Sequence, residues 1–172
     1  MHIGDLMGVT TALRQEIKSQ FFPLMQQRGF VLDLRDAPHF LRFLRVTTTE
    51  AHMVEIQWEK NGLPRFAINF GRCSKDGVVI RGERFPIEKI SANWLLGSGR
   101  LQPGRKKSVG GWFRQDKPLI TRLFSSEKRV PPSEVVAQLI SLYPEVEEYW
   151  ERGKVGQHLT IYSFGAQVGR ES

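Results

Sequence analysis

The sequence predicts an α+β fold in which an antiparallel sheet of about four or five strands is packed by an N-terminal helix and by C-terminal helices. Two features of the chain support this prediction. Apolar residues alternate at strand spacing through much of residues 30–81, whereas helical spacing dominates the C-terminal half. A run of strands followed by a run of helices is typical of segregated layers rather than of alternating parallel units.

The N-terminal helix is predicted over residues 10–28. Its apolar residues recur every three or four positions, at Leu13, Ile17, Phe21, Leu24 and Met25. Thr10 or Thr11 can cap the helix by accepting a bond from an exposed backbone amide. Pro23 removes one helical hydrogen bond and is expected to bend the helix, and Gly29 ends it.

The clearest strand signal covers residues 54–71, which we interpret as a hairpin with one buried face. Apolar residues stand at alternate positions on both sides of Asn61-Gly62, a pair that tolerates the positive φ of a tight turn. Residues 39–47 carry apolar residues on both faces, so we place them inside the sheet as the third strand of a meander.

Shorter elements are predicted after the hairpin. The turn Asp76-Gly77 favours a strand at residues 78–81, and residues 86–96 favour a short helix. The buried side of that helix would carry Ile87, Ile90 and Trp94. Residues 97–111 contain five glycines and four basic residues, which indicates an exposed loop, and Trp112-Phe113 then returns to the sheet.

Two helices and a last strand are predicted near the C-terminus. Ser133 follows two prolines and is expected to cap the first helix. Pro144 suits the first position of the second helix, which runs to about Arg152 and stops at Gly153. Residues 159–162 are the candidate strand.

One domain is predicted for residues 1–165, and residues 166–172 are expected to form a flexible tail. Cys73 is the single cysteine and has no partner for an intramolecular disulfide, which indicates a reducing compartment. No stretch approaches about 18 consecutive apolar residues. The chain is therefore expected to be soluble and cytoplasmic, without a membrane partner.

Several short motifs are similar to those of a known family. The motifs are Phe22-Pro23-Leu24, Arg28-Gly29-Phe30, Ile56-Gln57-Trp58 and FAINFG at residues 66–71. They resemble a bacterial domain family of unknown function, in which a helix of the form P-L-x-x-x-G-F leads into strands with an F-x-I-N-x-G signature. The resemblance covers roughly residues 10–155. It implies helices in the C-terminal half, and its structural motifs imply no catalytic position.

Opposite charges are concentrated in two segments of a chain whose net charge is +7. Residues 97–117 carry six basic residues and one aspartate, whereas residues 134–151 carry five glutamates and no Lys or Arg. A local field of one sign is what a charged partner meets first. We therefore expect a dipolar molecule with a basic loop and an acidic helical region.

The basic loop is the strongest candidate site. It combines cations with aromatic residues, a mixture that can hold phosphates while a ring stacks on an exposed base. The candidate polyanion-binding residues are Arg100, Arg105, Lys106, Lys107, Trp112 and Arg114. The alternative is a solvated loop followed by core aromatic residues. The predicted helices are acidic or mostly apolar, so sequence-specific reading of duplex DNA is not expected.

The histidines and aspartates give weaker candidates. His39 and His52 could face each other across neighbouring strands as an acid/base or metal pair. Asp33, Asp36 and His39 could share a metal ion only if their segment were helical. Strand-end histidines and turn-forming aspartates are the simpler interpretation, because an aspartate in a turn bonds its own backbone.

Cys73 is a third weak candidate. The neighbouring cations Arg72 and Lys75 would lower the pKa of its thiol and raise the thiolate fraction. No histidine is close in sequence to act as a base. We therefore favour an inert, partly buried thiol.

The predicted function is non-enzymatic binding, with no catalytic residue, cofactor or metal assigned. A protein partner is favoured, engaged through the basic loop, an exposed sheet face or an uncovered edge strand. Binding of nucleic acid or another polyanion through residues 97–117 is the first alternative. A small enzyme or an inhibitor with an unrecognised site is the second. The net charge of +7 disfavours a nuclease inhibitor, which would have to meet a basic surface.

Overall fold

An antiparallel sheet of seven strands lies at the centre of the fold. The structure is a computed structural model that describes residues 3–33, 39–95, 97–105, 111–116 and 129–162. The described strands are, in chain order, β1 (Val31–Asp33), β2 (Phe40–Val46), β3 (Glu50–Trp58), β4 (Arg65–Ser74), β5 (Val78–Ile80), β6 (Glu83–Phe85), β7 (Gly99–Leu101), β8 (Phe113–Arg114) and β9 (Leu159–Ile161). The sheet has the order β1-β2-β3-β4-β7-β9, and β8 also pairs with β4.

Helices cover one face of this sheet. They are α1 (Ile3–Glu16), α2 (Phe22–Gln27), α3 (Pro132–Leu142) and α4 (Pro144–Arg152). Their buried side chains form one core with strand residues that include Phe43, Ile56, Ile68 and Phe70. The predicted α+β class is therefore confirmed. The sheet has more strands than expected, and the three-residue strand β7, which gives little periodic signal, lies in the stretch predicted as a loop.

The first helix begins at Ile3, so the predicted threonine cap is wrong. Thr10 Oγ1 instead donates to the carbonyl of Gly62 at 2.9 Å, which links the helix to the β3–β4 loop. Pro23 does not break the helix. The turn before it, Ile17–Phe21, has π-helical geometry, and this wider turn accommodates a residue that lacks a backbone N–H.

The β3–β4 hairpin is buried on both faces, whereas the sequence predicted one buried face. Residues 51–56 are all buried, because a segment after β4 folds back over the second face. The connection is also longer than a two-residue turn and spans residues 59–64. The carboxylate of Glu59 stabilises it by accepting bonds from the backbone N–H groups of Asn61 at 2.7 Å and Leu63 at 3.2 Å.

Residues 75–95, which we call the covering segment, lie on half of the second face. They contain the β5–β6 hairpin, which is separate from the main sheet, and two 3-10 turns. The turns are Ile87–Lys89 and Ala92–Trp94, so the helix predicted for residues 86–96 is wrong. A second, smaller core is formed by Ala51, Met53, Ile87, Ile90, Ala92 and Leu95. Extended backbone at Ile90 and Ser91 breaks the helical period, and Trp94 is consequently exposed.

Two predictions for the second half of the chain need correction. Ser133 is not a cap, because α3 begins at Pro132, whose fixed φ already suits the first helical position. Residues 97–111 are not simply an exposed loop, because β7 lies between β4 and β9. In the described part of this stretch, residues 97–105 and 111, the buried residues are Ser98, Gly99 and Leu101.

The predictions for the second C-terminal helix and for the last strand are confirmed. Pro144 begins α4, and Gly153 follows it with a positive φ of 69°. Residues 159–161 form β9, as expected, and pair with β7. Within the described ranges, no helix is both long enough and apolar enough to cross a membrane.

Some sequence predictions lie outside the described residues. They are those that concern Asp36, Lys106, Lys107 and the flexible tail at residues 166–172.

Candidate functional site

A polar row crosses the second face of the sheet in register, with one residue from each of six strands. Its members are Asp33, Arg42, Glu55, Asn69, Arg100 and Thr160. Buried polar groups need hydrogen-bond partners, and the two halves of this row find different ones.

The half that contains Arg42 and Glu55 holds the covering segment on the sheet. Arg42 is only 2% exposed, and its Nη1 donates to the carbonyls of Ile87 and Ile90, each at 2.9 Å. Its Nη2 donates to the carboxylate of Asp33. Ser91 Oγ donates to Glu55 Oε2 at 2.9 Å. Because these contacts all join the covering segment or β1 to the sheet, we assign this half a structural role.

In the other half of the row, Asn69 and Arg100 form a closed triangle with Gln57, which lies two positions after Glu55 on β3. Arg100 donates from Nε to Asn69 Oδ1 at 2.9 Å and from Nη2 to Gln57 Oε1 at 3.0 Å. Asn69 Nδ2 donates to the same Gln57 oxygen at 3.0 Å. A guanidinium has only donors, so both amides must present their oxygens to it. Among the described residues Arg100 has no carboxylate partner, and its charge is held by neutral amides.

Trp112 lies beside this triangle with two cations near its ring. The guanidinium carbons of Arg65 and Arg100 are 5.6 and 5.7 Å from the ring centroid, within the range of a cation–π contact. Trp112 is half-buried and does not belong to the apolar core. Trp58, by contrast, is a core residue that is 1% exposed.

A third arginine lies directly opposite Arg65 in the sheet. Arg114 on β8 pairs with Arg65 on β4, and like charges in this position destabilise a sheet. Each has one carboxylate nearby, since Arg65 lies 3.7 Å from Glu59 and Arg114 contacts Asp116. We call the surface formed by Gln57, Arg65, Asn69, Arg100, Trp112 and Arg114 the basic face.

The structure brings together three of the six residues predicted for polyanion binding. Arg100, Trp112 and Arg114 lie on the basic face, while Arg105 is exposed after β7. Lys106 and Lys107 are outside the described residues. Sequence reasoning missed Arg65 and Gln57, although the alternation along β3 and β4 places both on the second face with Asn69.

Three of the five glutamates in the acidic region contact basic side chains within the protein. Arg45 donates to both carboxylate oxygens of Glu147, at 3.2 and 2.8 Å. His158 Nδ1 lies 2.6 Å from Glu145 Oε1, and Lys154 donates to Glu148 at 3.0 Å. The expected dipole is therefore weaker at its acidic end than the sequence indicates.

The predicted histidine pair does not form. His39 lies opposite the end of β3, where its carbonyl accepts the N–H of Trp58, whereas His52 pairs in register with Arg45. The two residues are six positions apart along the sheet, which corresponds to roughly 20 Å. The second candidate was a metal site formed by Asp33, Asp36 and His39. Asp33 forms an ion pair with Arg42 instead, and Asp36 is outside the described residues.

Cys73 is half-buried, and its surroundings favour an inert thiol over a reactive one. Burial raises the pKa of its thiol to about 11, and the nearby carboxylate of Glu50 acts in the same direction. Across the described part of the chain, no group of three or more His, Cys, Asp or Glu residues could hold a metal ion.

Comparison with protein-family models, with curated proteins and with solved structures finds no match to this chain. The resemblance to a bacterial domain family therefore remains a prediction from the sequence motifs.

Proposed function

We propose that this chain is a non-enzymatic binding domain whose ligand is a polyanion, and that a single strand of nucleic acid is the polyanion it fits. The observation that carries the proposal is the position of Arg65 and Arg100 next to the half-buried ring of Trp112, with Arg114 opposite Arg65 in the sheet. Cationic surfaces with aromatic rings bind single strands by contacting phosphates and stacking bases.

The distribution of charge supports an anionic ligand. Two of the five glutamates in residues 134–151, Glu147 and Glu148, have cationic partners within the protein. Arg100, by contrast, is bound by neutral amides, and Arg105 is exposed. The net charge of +7 and the calculated isoelectric point of about 9.9 also favour an anionic ligand. An acidic surface suited to a basic partner receives less support.

The position of the helices favours a single strand over a duplex. The helices α1, α3 and α4 bury apolar side chains against the other face of the sheet. None of these three helices therefore lies on the basic face, where it could enter a groove of duplex DNA. Major-groove reading depends on an exposed helix or a strand pair that enters the groove. A sheet face with an aromatic ring fits splayed bases better.

The proposal is tested by fluorescence anisotropy with a labelled single-stranded oligonucleotide. We expect the triple substitution of Arg105, Lys106 and Lys107 by Ala to weaken binding and to reduce the slope of log affinity against log salt by about 2, because three cations are removed. The control substitutes three exposed lysines elsewhere, Lys18, Lys75 and Lys89, by Ala. Equal affinity of the two triple variants would contradict the proposal.

A protein partner is the second candidate, and exposed apolar residues near one sheet edge favour it. Val31 on the edge strand β1 is 70% exposed, and Val46 near the end of β2 is 55% exposed. A partner bound at this edge would form a complex that tolerates salt and is lost with Val31→Lys. Retention of a purified complex by that variant would argue against this edge.

A further inference from the structure

We propose that Arg100 and Gln57 together form a binding site for a phosphate group, and that this site holds one phosphate of the strand on the basic face. The site rests on the proposed function and adds to it the two side chains that contact the ligand. The hydrogen bonds inside the triangle determine which groups remain for that contact.

The guanidinium of Arg100 is only partly used within the protein. Its Nε and Nη2 donate to Asn69 and Gln57, as described above. A guanidinium has five N–H donors and no acceptor, and two of those donors are on Nη1. Nη1 makes no hydrogen bond to any described residue, so its two N–H groups remain for a ligand.

The amide of Gln57 is oriented by the same triangle. Its Oε1 accepts hydrogen bonds from both Arg100 and Asn69, so the NH₂ group of Nε2 points away from these two side chains. Nε2 makes no hydrogen bond within the described ranges. Gln57 therefore contributes two further N–H donors beside the positive charge of Arg100, and both residues are half-buried rather than fully enclosed.

A site with donors alone and a positive charge selects an acceptor that carries negative charge. Phosphate and carboxylate both satisfy this requirement, and hydrogen bonds from Arg to either are stronger than those between neutral groups. The ring of Trp112, 5.7 Å from the Arg100 guanidinium carbon, provides a stacking surface for a base next to the bound phosphate. This neighbour favours a nucleic-acid phosphate over a carboxylate of a protein.

Gln57→Glu is the substitution that tests the site most sharply. A glutamate can still accept from Arg100 and Asn69, so the triangle is kept, but the two outward N–H donors are replaced by a carboxylate oxygen. We expect at least about tenfold weaker binding of a labelled single-stranded oligonucleotide, because one like charge now faces the phosphate. Gln26→Glu on the exposed side of α2 is the matched control and should bind as the wild type does.

A second variant, Arg100→Lys, keeps the test decisive if Gln57→Glu does not fold. Arg100→Lys keeps the charge but lacks the planar fork that contacts both amides and ligand. Thermal unfolding followed by circular dichroism identifies which variants are folded. Should Gln57→Glu fail to fold, reduced oligonucleotide affinity of folded Arg100→Lys supports the site, and unchanged affinity overturns it.

A second probe, inorganic tripolyphosphate measured by calorimetry, separates the site from the proposed function. Oligonucleotide binding by the wild type with equal affinity in Gln57→Glu and Gln26→Glu overturns the phosphate site and leaves the proposed function intact. Tripolyphosphate binding that Gln57→Glu abolishes, without oligonucleotide binding, supports the oxyanion site and overturns the nucleic-acid function. Preferential binding of polyglutamate overturns the assignment to phosphate.

Discussion

The ring of His52 lies flat on the ring of Trp150, with centroids 4.6 Å apart and planes 7° from parallel. Arg45 donates to His52 Nδ1 at 2.9 Å, which leaves the proton of a neutral imidazole on Nε2, 3.2 Å from Glu50 Oε2. Burial lowers the pKa of His52, and the charge of Arg45 lowers it further against the opposing effects of Glu50 and Glu147. A neutral His52 therefore joins β3 to α4.

This contact predicts a loss of stability on mild acidification. Because the folded-state pKa of His52 is below its usual value of 6.5, the unfolded chain binds the extra proton more readily. The contribution to the free energy of unfolding is complete above pH 6.5 and decreases as pH falls toward the lowered pKa. The free energy of unfolding can be measured by urea denaturation at several pH values below 6.5. It should fall more steeply with decreasing pH for the wild type than for His52→Gln, whose side chain stays neutral. His39→Gln is the control, and identical slopes for the wild type and His52→Gln would contradict the assignment.

Arg42→Met is predicted to loosen the covering segment. The substitution removes the two hydrogen bonds from Arg42 to the carbonyls of Ile87 and Ile90 and the ion pair between Arg42 and Asp33. A buried acceptor that loses its hydrogen-bond donor typically costs about 1–3 kcal/mol. Hydrogen exchange should accelerate in residues 75–95, whereas Arg84→Met at an exposed position should leave exchange there unchanged.

Gly71→Ala is predicted to displace the same segment from above β4. A Cβ at this position would lie 2.7 Å from the carbonyl oxygen of Ala92, a distance at which the backbone must move. Overpacking of this kind typically costs about 1–3 kcal/mol. A denaturant midpoint equal to that of the wild type would show that the segment does not pack against Gly71.

Cys73 is predicted to react slowly with thiol reagents. Since burial raises the pKa of this thiol to about 11, only a small fraction is thiolate at pH values well below 11. Alkylation by iodoacetamide near neutral pH should be much slower for the folded chain than for the same chain in urea. Equal rates in the two conditions would mean that the thiol is exposed in solution.

The sheet could be predicted where its signal is local. Residues 54–71 alternate clearly, and their pairing depends only on a short connection. The second buried face of this hairpin could not be predicted, because it is created by residues 75–95, whose extended and 3-10 backbone has no regular period. The burial of Arg42 could not be predicted for the same reason. Arg42 donates to the backbone carbonyls of Ile87 and Ile90, and a backbone carbonyl is present at every residue, so it leaves no signal in the sequence.

The candidate site could be predicted only in part. A cluster of basic residues with Trp112 is visible in the sequence, and it makes an anionic ligand the first alternative to a protein partner. The contact of Arg65 and Arg100 with the same ring depends on β7 and β8 both pairing with β4. Those strands are too short to reveal their register, so the role of Gln57 in the triangle could not be inferred.

The salt dependence of oligonucleotide affinity tests the central claim most directly. The measurement compares the wild type with Arg65→Gln/Arg114→Gln, a variant that removes two charges from the basic face, over salt concentrations from about 50 to about 200 mM. We predict a linear fall of log affinity with log salt for the wild type and a slope that is smaller by about 1.4 for the variant, because each lost phosphate contact removes about 0.7. A wild type that does not bind, or two proteins with the same affinity and slope, would contradict polyanion binding by this face.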